Sequence, residues 1–109
     1  MSRWVDVTST QQIPPGEVRA FQVEDRRVCI AHVEGEGFFA VQDSCPHHGV
    51  SLGDMGNLEE GEVVCGWHRW RFDVKTGACP ISSAATLVCY PLKAERGQLW
   101  IDLATTGRD

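Results

Sequence analysis

The chain has 109 residues, of which 42% are hydrophobic and 23% charged, a size and composition that fit one small folded domain. Its formal net charge of −5 disfavours a nucleic-acid partner, because binding to a phosphate backbone relies on lysine and arginine. No apolar run approaches the roughly 20 residues that span a bilayer, and residues 1–7 contain no apolar signal segment. We therefore expect a soluble, cytoplasmic protein with neither membrane nor nucleic-acid partners.

The first third of the chain predicts β-strands. Residues 3–7 alternate and predict a short strand, and residues 8–15 predict a helical turn or a loop that ends at Pro14–Pro15–Gly16. The content of Val, Ile and Phe and the two-residue alternation predict three further strands, over residues 17–23, 27–33 and 38–42. The segment Glu34–Gly35–Glu36–Gly37 is typical of a hairpin turn between the last two.

The stretch from residue 43 to residue 81 differs in kind from its flanks. It holds six of the eleven glycines and three of the four histidines, and it predicts only short strands, at 62–65 and 70–74. It shows no helical periodicity. Because such a segment buries little apolar surface by itself, a metal centre is the expected source of its order.

Regular strands return at residues 86–94 and 98–103, with a turn at Glu95–Arg96–Gly97 between them. Leu99, Ile101 and Leu103 alternate with polar or amphipathic side chains, which predicts that one face of the last strand is buried. The pattern as a whole predicts an all-β protein, an antiparallel sandwich or small barrel that carries a loop-built insert.

The cysteine count favours metal binding or core packing over disulfides. The chain contains Cys29, Cys45, Cys65, Cys79 and Cys89. An odd number without a signal peptide argues against a disulfide framework. Cys29 and Cys89 stand between apolar neighbours in predicted strands, so we expect them to pack in the core as small hydrophobic side chains.

Two short clusters within the insert carry metal-ligand chemistry: Cys45–Pro46–His47 and Cys65–Gly66–Trp67–His68. Each places one thiolate donor and one imidazole donor within a few residues, and seventeen residues lie between the clusters. Thiolates are natural ligands of iron–sulfur clusters, and imidazole binds iron well. Two cysteines on one iron and two histidines on the other would make a Rieske centre. From spacing alone, a structural Cys₂His₂ zinc site and a site without metal stay open as alternatives.

The chain resembles the Rieske-type ferredoxins of bacterial ring-hydroxylating oxygenase systems. The resemblance rests on Cys45–Gly49, Leu52–Gly56, Cys65–Asp73, Thr76–Gly77 and Pro80. It implies one [2Fe–2S] cluster per chain on Cys45, His47, Cys65 and His68, and a Rieske fold. In that fold, residues 1–42 and 82–104 form the base of a single domain, and residues 43–81 form a small cluster-binding subdomain. Arg69 departs from the pattern, since the family usually has a small residue there.

The resemblance also implies a function. The protein would carry single electrons from a flavin-dependent ferredoxin reductase to a terminal oxygenase, and it would not be an enzyme by itself. We expect a monomer, because a carrier that visits two partners needs its surface exposed. Two alternatives belong to other classes: a small Rieske subunit of an assimilatory nitrite reductase, and a zinc-stabilised interaction domain without redox activity.

The residues that stand where related proteins have cluster-tuning side chains predict a low reduction potential. High-potential Rieske proteins carry two bridging cysteines where this chain has Val50 and Trp67, and hydroxyl donors where it has Trp70 and Phe72. Donors near a cluster sulfur stabilise the reduced state, so their loss lowers the potential. We expect a value near the lower end of the Rieske range, about −150 mV.

Other residues near the motif have plainer interpretations. His48 adjoins His47 but is not expected to bind the cluster. Trp67 and Trp70 are expected to pack between the insert and the rest of the domain, with a partner-facing position as the alternative. The acidic side chains of the insert are expected to form a solvated face, with steering of a basic partner as the alternative. These acidic residues are Asp54, Glu59, Glu60 and Glu62.

Overall fold

The computed structural model describes residues 3–45, 49–65, 70–79 and 86–104, and within these ranges the chain is built mainly of antiparallel β-strands. The strands are β1 Trp4–Ser9, β2 Val18–Val23, β3 Arg26–Val33, β4 Gly37–Gln42, β5 Asn57–Glu59, β6 Glu62–Val64, β7 Arg71–Asp73, β8 Cys89–Tyr90, β9 Leu92–Glu95 and β10 Gln98–Asp102. A 3₁₀ turn at Thr10–Gln12 and a short helix, α1 at Leu52–Met55, complete the elements of these ranges. No helix in the described ranges is long and apolar enough to cross a membrane.

Three sheets organise these strands. The first has the order β1–β10–β9, the second β2–β3–β4–β8, and the third β5–β6–β7. All of the pairings are antiparallel, and each hairpin joins neighbours in sequence. The predicted all-β, antiparallel fold class is therefore confirmed.

The second sheet lies at the centre of the core because strand β3 is buried on both faces. Cys29 and Ala31 point to one side, where they pack with the third sheet and α1. Val28 and Ile30 point to the other side, where they pack with the first sheet. Successive side chains of a strand alternate between faces, so the uninterrupted apolar run at residues 28–31 serves two separate clusters. Leu99, Ile101 and Leu103 are buried in the second of these clusters, as their alternation predicts.

Two sequence predictions within this fold were wrong in detail. The single strand expected over 86–94 is divided into β8 and β9 around Pro91, which has no N–H to donate to a neighbouring strand. In the insert, α1 and β5 were not expected. Helix α1 is only four residues long, and it begins where the Ser51 hydroxyl accepts the Asp54 N–H at 3.1 Å. Such a turn is too short to produce a helical periodicity.

Candidate metal centre

The first half of the predicted site is the tip of a tight hairpin. The N–H of Cys45 donates to the carbonyl of Val50 at 2.9 Å, and Ser44 and Ser51 form the next antiparallel bridge. One step further out, the N–H of Leu52 donates to the carbonyl of Asp43 at 2.7 Å. Three successive rungs therefore hold the base of this loop, which we call the first hairpin (residues 43–53).

The second half of the site repeats this construction. Strands β6 and β7 pair Val64 with Arg71, and the N–H of Cys65 donates to the carbonyl of Trp70 at 2.7 Å. We call residues 62–73 the second hairpin. In each hairpin a cysteine stands one position beyond the last bridge, and its N–H closes the loop onto the residue five positions later.

Both cysteines point into protein rather than solvent. Cys45 and Cys65 are each 1% exposed, and both belong to the buried cluster between the second sheet, α1 and the third sheet. All five cysteines lie in the described ranges, and none of them forms a disulfide. The fold therefore brings two thiols from separate hairpins into one enclosed region of the core.

The imidazole half of the predicted ligand set lies outside the described residues. His47 and His68 are at positions for which the structure gives no description, as are His48, Trp67 and Arg69. Within the described ranges, no group of three or more His, Cys, Asp or Glu side chains is placed to hold a metal ion. The assignment of the four ligands accordingly stays a prediction.

The remaining cysteines behave differently from one another. Cys29 is fully buried, which confirms the expected core position, and burial raises the pKa of its thiol, with further contributions from the charges of Asp43 and Asp54. Cys89 is only partly buried, so the expectation of a core position was wrong in part. Burial and the charge of Asp73 raise the pKa of Cys89 as well. Both side chains are therefore protonated thiols at neutral pH.

The described aromatic residues of the second hairpin pack inward. Phe72 is fully buried, and Trp70 is partly buried against the same cluster that contains Cys45 and Cys65. This is the packing expected for Trp70 between the insert and the rest of the domain. Neither side chain carries a hydroxyl group that could donate a hydrogen bond to a sulfur.

Sequence reasoning missed the ion pairs that surround the two hairpins. Arg27 contacts Asp43 at 3.3 Å and Asp54 at 3.1 Å. Arg71 contacts Glu62 at 2.7 Å and Glu59 at 3.1 Å, and these hydrogen bonds raise the pKa of its guanidinium. The side chains of Asp54, Glu59 and Glu62 remain 62%, 42% and 30% exposed, so these pairs lie at a solvated surface, as expected for the acidic residues of the insert. No local sequence pattern predicts such pairs, because the paired residues lie on different elements of the fold.

Comparison with known proteins identifies the family of this chain. A family model described as the Rieske [2Fe-2S] domain matches residues 3–91. The chain belongs to the Rieske family. Its cofactor is therefore a [2Fe–2S] cluster, which decides between the cluster and the zinc site that spacing alone left open.

The curated relatives of this Rieske protein include ferredoxin components of dioxygenase systems. The ferredoxin component of the p-cumate 2,3-dioxygenase system of Pseudomonas putida is 36% identical over 101 residues, which is 91% of this chain and 85% of that protein. The ferredoxin component of the naphthalene 1,2-dioxygenase system of Pseudomonas aeruginosa is 34% identical over 105 residues, which is 94% of this chain and 97% of that protein. The predicted class, an electron-transfer component rather than a catalytic enzyme, is confirmed.

Solved structures agree with this assignment. The ferredoxin of carbazole 1,9a-dioxygenase from Nocardioides aromaticivorans IC177 superposes with a TM-score of 0.80 at 29% identity, covering 90% of this chain and 95% of that one. A ferredoxin chain in a complex of reduced oxygenase and oxidised ferredoxin of carbazole 1,9a-dioxygenase gives a TM-score of 0.77 at 27% identity, covering 91% and 92%. A putative nitrite reductase small subunit from Mycobacterium tuberculosis reaches 0.82 at only 16% identity, covering 94% and 96%, and this likeness shows the fold alone.

The donor set fits the cofactor of the family. Two buried thiols outside disulfides come from two hairpins of matched construction, and each hairpin continues directly into a segment that contains a histidine. Thiolate and imidazole are the two ligand types of a Rieske centre.

Proposed function

We propose that Cys45, His47, Cys65 and His68 hold the [2Fe–2S] cluster, and that the protein passes electrons from a flavin-dependent reductase to a terminal oxygenase. The observation that supports this proposal best is the pair of matched hairpins. Each contributes one buried cysteine and one histidine two or three positions later, so each can give one ligand to each iron. When bound, the cluster supplies reversible one-electron chemistry.

The two kinds of ligand have different tasks. Cys45 and Cys65 anchor the site from the buried side, where solvent is excluded and the thiolates are protected. His47 and His68, two and three positions further along the chain, would provide the route for electrons toward a partner. The third sheet and both hairpins lie within residues 43–81, which supports treating this segment as a cluster-binding subdomain on a base formed by residues 1–42 and 82–104.

The partners are proposed from the chemistry of the relatives. Ferredoxin components of dioxygenase systems stand among them, and one similar ferredoxin is found in a complex with its oxygenase. An electron delivered to an oxygenase has to come from a donor, and a flavin reductase converts two-electron into one-electron transfers. The same pair of histidines would serve both partners in turn, which favours a monomer over an oligomer.

A low potential follows from the surroundings of the two cysteines. Phe72 belongs to the same group of buried hydrophobic residues as Cys45 and Cys65, and Trp70 packs against that group. Neither side chain has a hydroxyl group that could donate a hydrogen bond to a sulfur. Without such donors the reduced, more negative state gains less stabilisation. The proposed potential is about −150 mV, near the lower end of the Rieske range.

The cysteine chemistry also supports a cytoplasmic location. None of the five cysteines forms a disulfide, including the three that are not proposed ligands, Cys29, Cys79 and Cys89. Thiols persist in this form where the compartment keeps them reduced.

Paired substitutions test the ligand set. Cys65→Ala and His47→Asn remove proposed ligands, whereas Cys79→Ala and His48→Asn change the same residue types at positions not assigned to the cluster. The measurements are iron and acid-labile sulfide content, and electron paramagnetic resonance of the oxidised and the dithionite-reduced protein. The wild type and both controls should give a rhombic spin-half signal only when reduced, with an average g below the free-electron value.

The two ligand variants should lose that signal and most of their iron. Loss of the signal in His48→Asn with its retention in His47→Asn would overturn the ligand assignment. The carrier function has a separate readout, which is turnover of a dioxygenase supplied with NADH and its flavin reductase but lacking its own ferredoxin. Turnover that depends on adding the wild-type protein supports the proposal, and failure with several such systems speaks against it.

A further inference from the structure

Each hairpin is held at its base by one arginine that forks to two carboxylates. For the first hairpin, Arg27 reaches in from the neighbouring strand β3. Its Nε lies 3.3 Å from an oxygen of Asp43, which precedes the loop, and its Nη2 lies 3.1 Å from an oxygen of Asp54, which follows it. Arg27 therefore joins the two sides of the first hairpin from outside.

The carboxylate of Asp43 extends this connection. Its second oxygen accepts the N–H of Gly53 at 2.8 Å, and its own N–H donates to the carbonyl of Arg27 at 3.2 Å. The side chain of Asp43 is only 3% exposed. A buried carboxylate needs its hydrogen-bond donors, so the base of the first hairpin depends on both Arg27 and Gly53.

The second hairpin has the same device with its parts redistributed. The fork is Arg71 on β7, with Nε 2.7 Å from Glu62 on β6 and Nη1 3.1 Å from Glu59 on β5. Glu59 and Glu62 stand directly opposite each other in the β5–β6 register. Like charges in that position repel. Arg71 compensates both, and thereby links all three strands of the third sheet.

We propose that Arg27 and Arg71 are positioning residues for the cluster, each fixing the base of one of the two hairpins that carry the proposed ligands. This inference rests on the proposed ligand set. A guanidinium holds two carboxylates at fixed angles, whereas an ammonium is a point charge on a flexible stem. The fork, and not the positive charge alone, is what the geometry requires.

The two forks differ in whether an arginine variant is expected to fold. Removing Arg27 leaves the buried carboxylate of Asp43 without its charged partner, and this can prevent folding. The Arg71 fork contains no buried carboxylate, since its arginine is 33% exposed and its glutamates are 42% and 30% exposed. Variants at residue 71 are therefore expected to fold, and they carry the test.

The test compares Arg71→Lys and Arg71→Gln with wild type and with Arg3→Gln. Arg3 pairs with Glu24 at 2.8 Å on the other side of the domain, so its substitution removes an exposed ion pair that belongs to neither hairpin. Three properties are measured on the holoprotein: the width of the reduced paramagnetic signal, the reduction potential, and the rate at which an iron chelator bleaches the cluster.

We expect both variants at residue 71 to bleach roughly two- to fivefold faster than wild type, a range set by the usual strength of partly exposed ion pairs. Both should also give broadened signals and shifted potentials, while Arg3→Gln matches wild type. The triple variant Arg71→Gln/Glu59→Gln/Glu62→Gln removes the repulsion between the glutamates and should recover part of the loss in bleaching rate.

Three outcomes decide between the proposal and its rivals. If Arg71→Lys matches wild type in all three measurements, charge alone suffices and the positioning role of the fork is overturned. If both variants at residue 71 match Arg3→Gln, the fork is an ordinary surface pair and the inference is also overturned. If wild type itself shows no [2Fe–2S] signal after reconstitution, the proposed function has failed, and this result is distinct from the other two.

Discussion

Gly53 of helix α1 lies directly on the backbone of Ala20 in β2: a Cβ at residue 53 would come within 2.3 Å of the Ala20 nitrogen. This separation is far below any van der Waals contact, so only glycine allows α1 to pack so closely against the second sheet. Because the N–H of Gly53 also donates to Asp43, the same close approach sets the position of the first hairpin relative to the core.

Gly53→Ala should therefore destabilise the protein. Overpacking of this kind costs about 1–3 kcal/mol. Chemical denaturation of the holoprotein measures the change, with Gly61→Ala as control. Gly61 has a φ of +81° with nothing within 4 Å of its Cβ position, so that variant reports the strain of a left-handed alanine without a clash. A cost at Gly53 no greater than that at Gly61 contradicts the packing argument.

Asp43→Asn tests the buried carboxylate at the base of the first hairpin. The amide keeps the shape but removes the charge that faces Arg27, and losing a charged hydrogen bond at a buried site costs about 1–3 kcal/mol. Asp54→Asn is the matched control, since Asp54 binds the same arginine but is 62% exposed. Its cost should stay within about 1 kcal/mol. Chemical denaturation measures both losses in the free energy of unfolding. Equal losses would show that the burial of Asp43 does not determine the cost of removing its charge.

Phe72→Tyr tests the explanation of the low potential. The new hydroxyl would lie in the group of buried hydrophobic residues that includes Cys45 and Cys65. A hydrogen bond that favours the reduced state by about 1.4 kcal/mol raises a one-electron potential by about 60 mV. Potentiometric titration measures the shift, and Phe21→Tyr, in the other core cluster, should leave the potential unchanged. No rise in Phe72→Tyr would mean that the missing hydroxyl does not account for the potential.

The buried thiol of Cys29 predicts a loss of stability at alkaline pH. Burial raises the pKa of Cys29 above its ordinary value of 9.0, so the folded protein keeps a proton that the unfolded chain releases. Cys29 makes its full contribution to the free energy of unfolding at pH values below the ordinary thiol pKa. This contribution falls as the pH rises past that value, by at most about 1.4 kcal/mol per pH unit. Denaturation at several alkaline pH values should show a shallower fall for Cys29→Ala than for wild type. Parallel curves would exclude Cys29 as the source.

Many elements of the fold could be predicted because their patterns are local. The alternation of Leu99, Ile101 and Leu103 reports directly which face of β10 is buried, and the structure agrees. The division at Pro91 was missed because the apolar residues on both sides of this proline match the pattern of one continuous strand. The short helix α1 was missed because one turn gives no period, and it is held by Ser51 and by its contact with β2 rather than by helix propensity.

For the candidate metal centre, too, the sequence predicts what depends on local patterns. The short spacing of Cys45 and His47 and of Cys65 and His68 predicts a metal site of thiolate and imidazole donors, which by itself fits an iron–sulfur cluster or zinc. The family match of residues 3–91 agrees with that motif. By itself the sequence thus determined the cofactor class, the all-β fold and the kind of protein.

Only the tertiary structure decided which charges meet. Arg27 and Asp43 are sixteen residues apart, and Arg71 and Glu59 are twelve apart, yet each pair is in direct contact. Whether an acidic side chain faces solvent or an arginine depends on strand register across a sheet, which is set by the packing of apolar faces elsewhere. For the same reason, only the fold shows that Cys45 and Cys65 are buried in one cluster: two distant hairpins share it because the central sheet and the third sheet pack against each other.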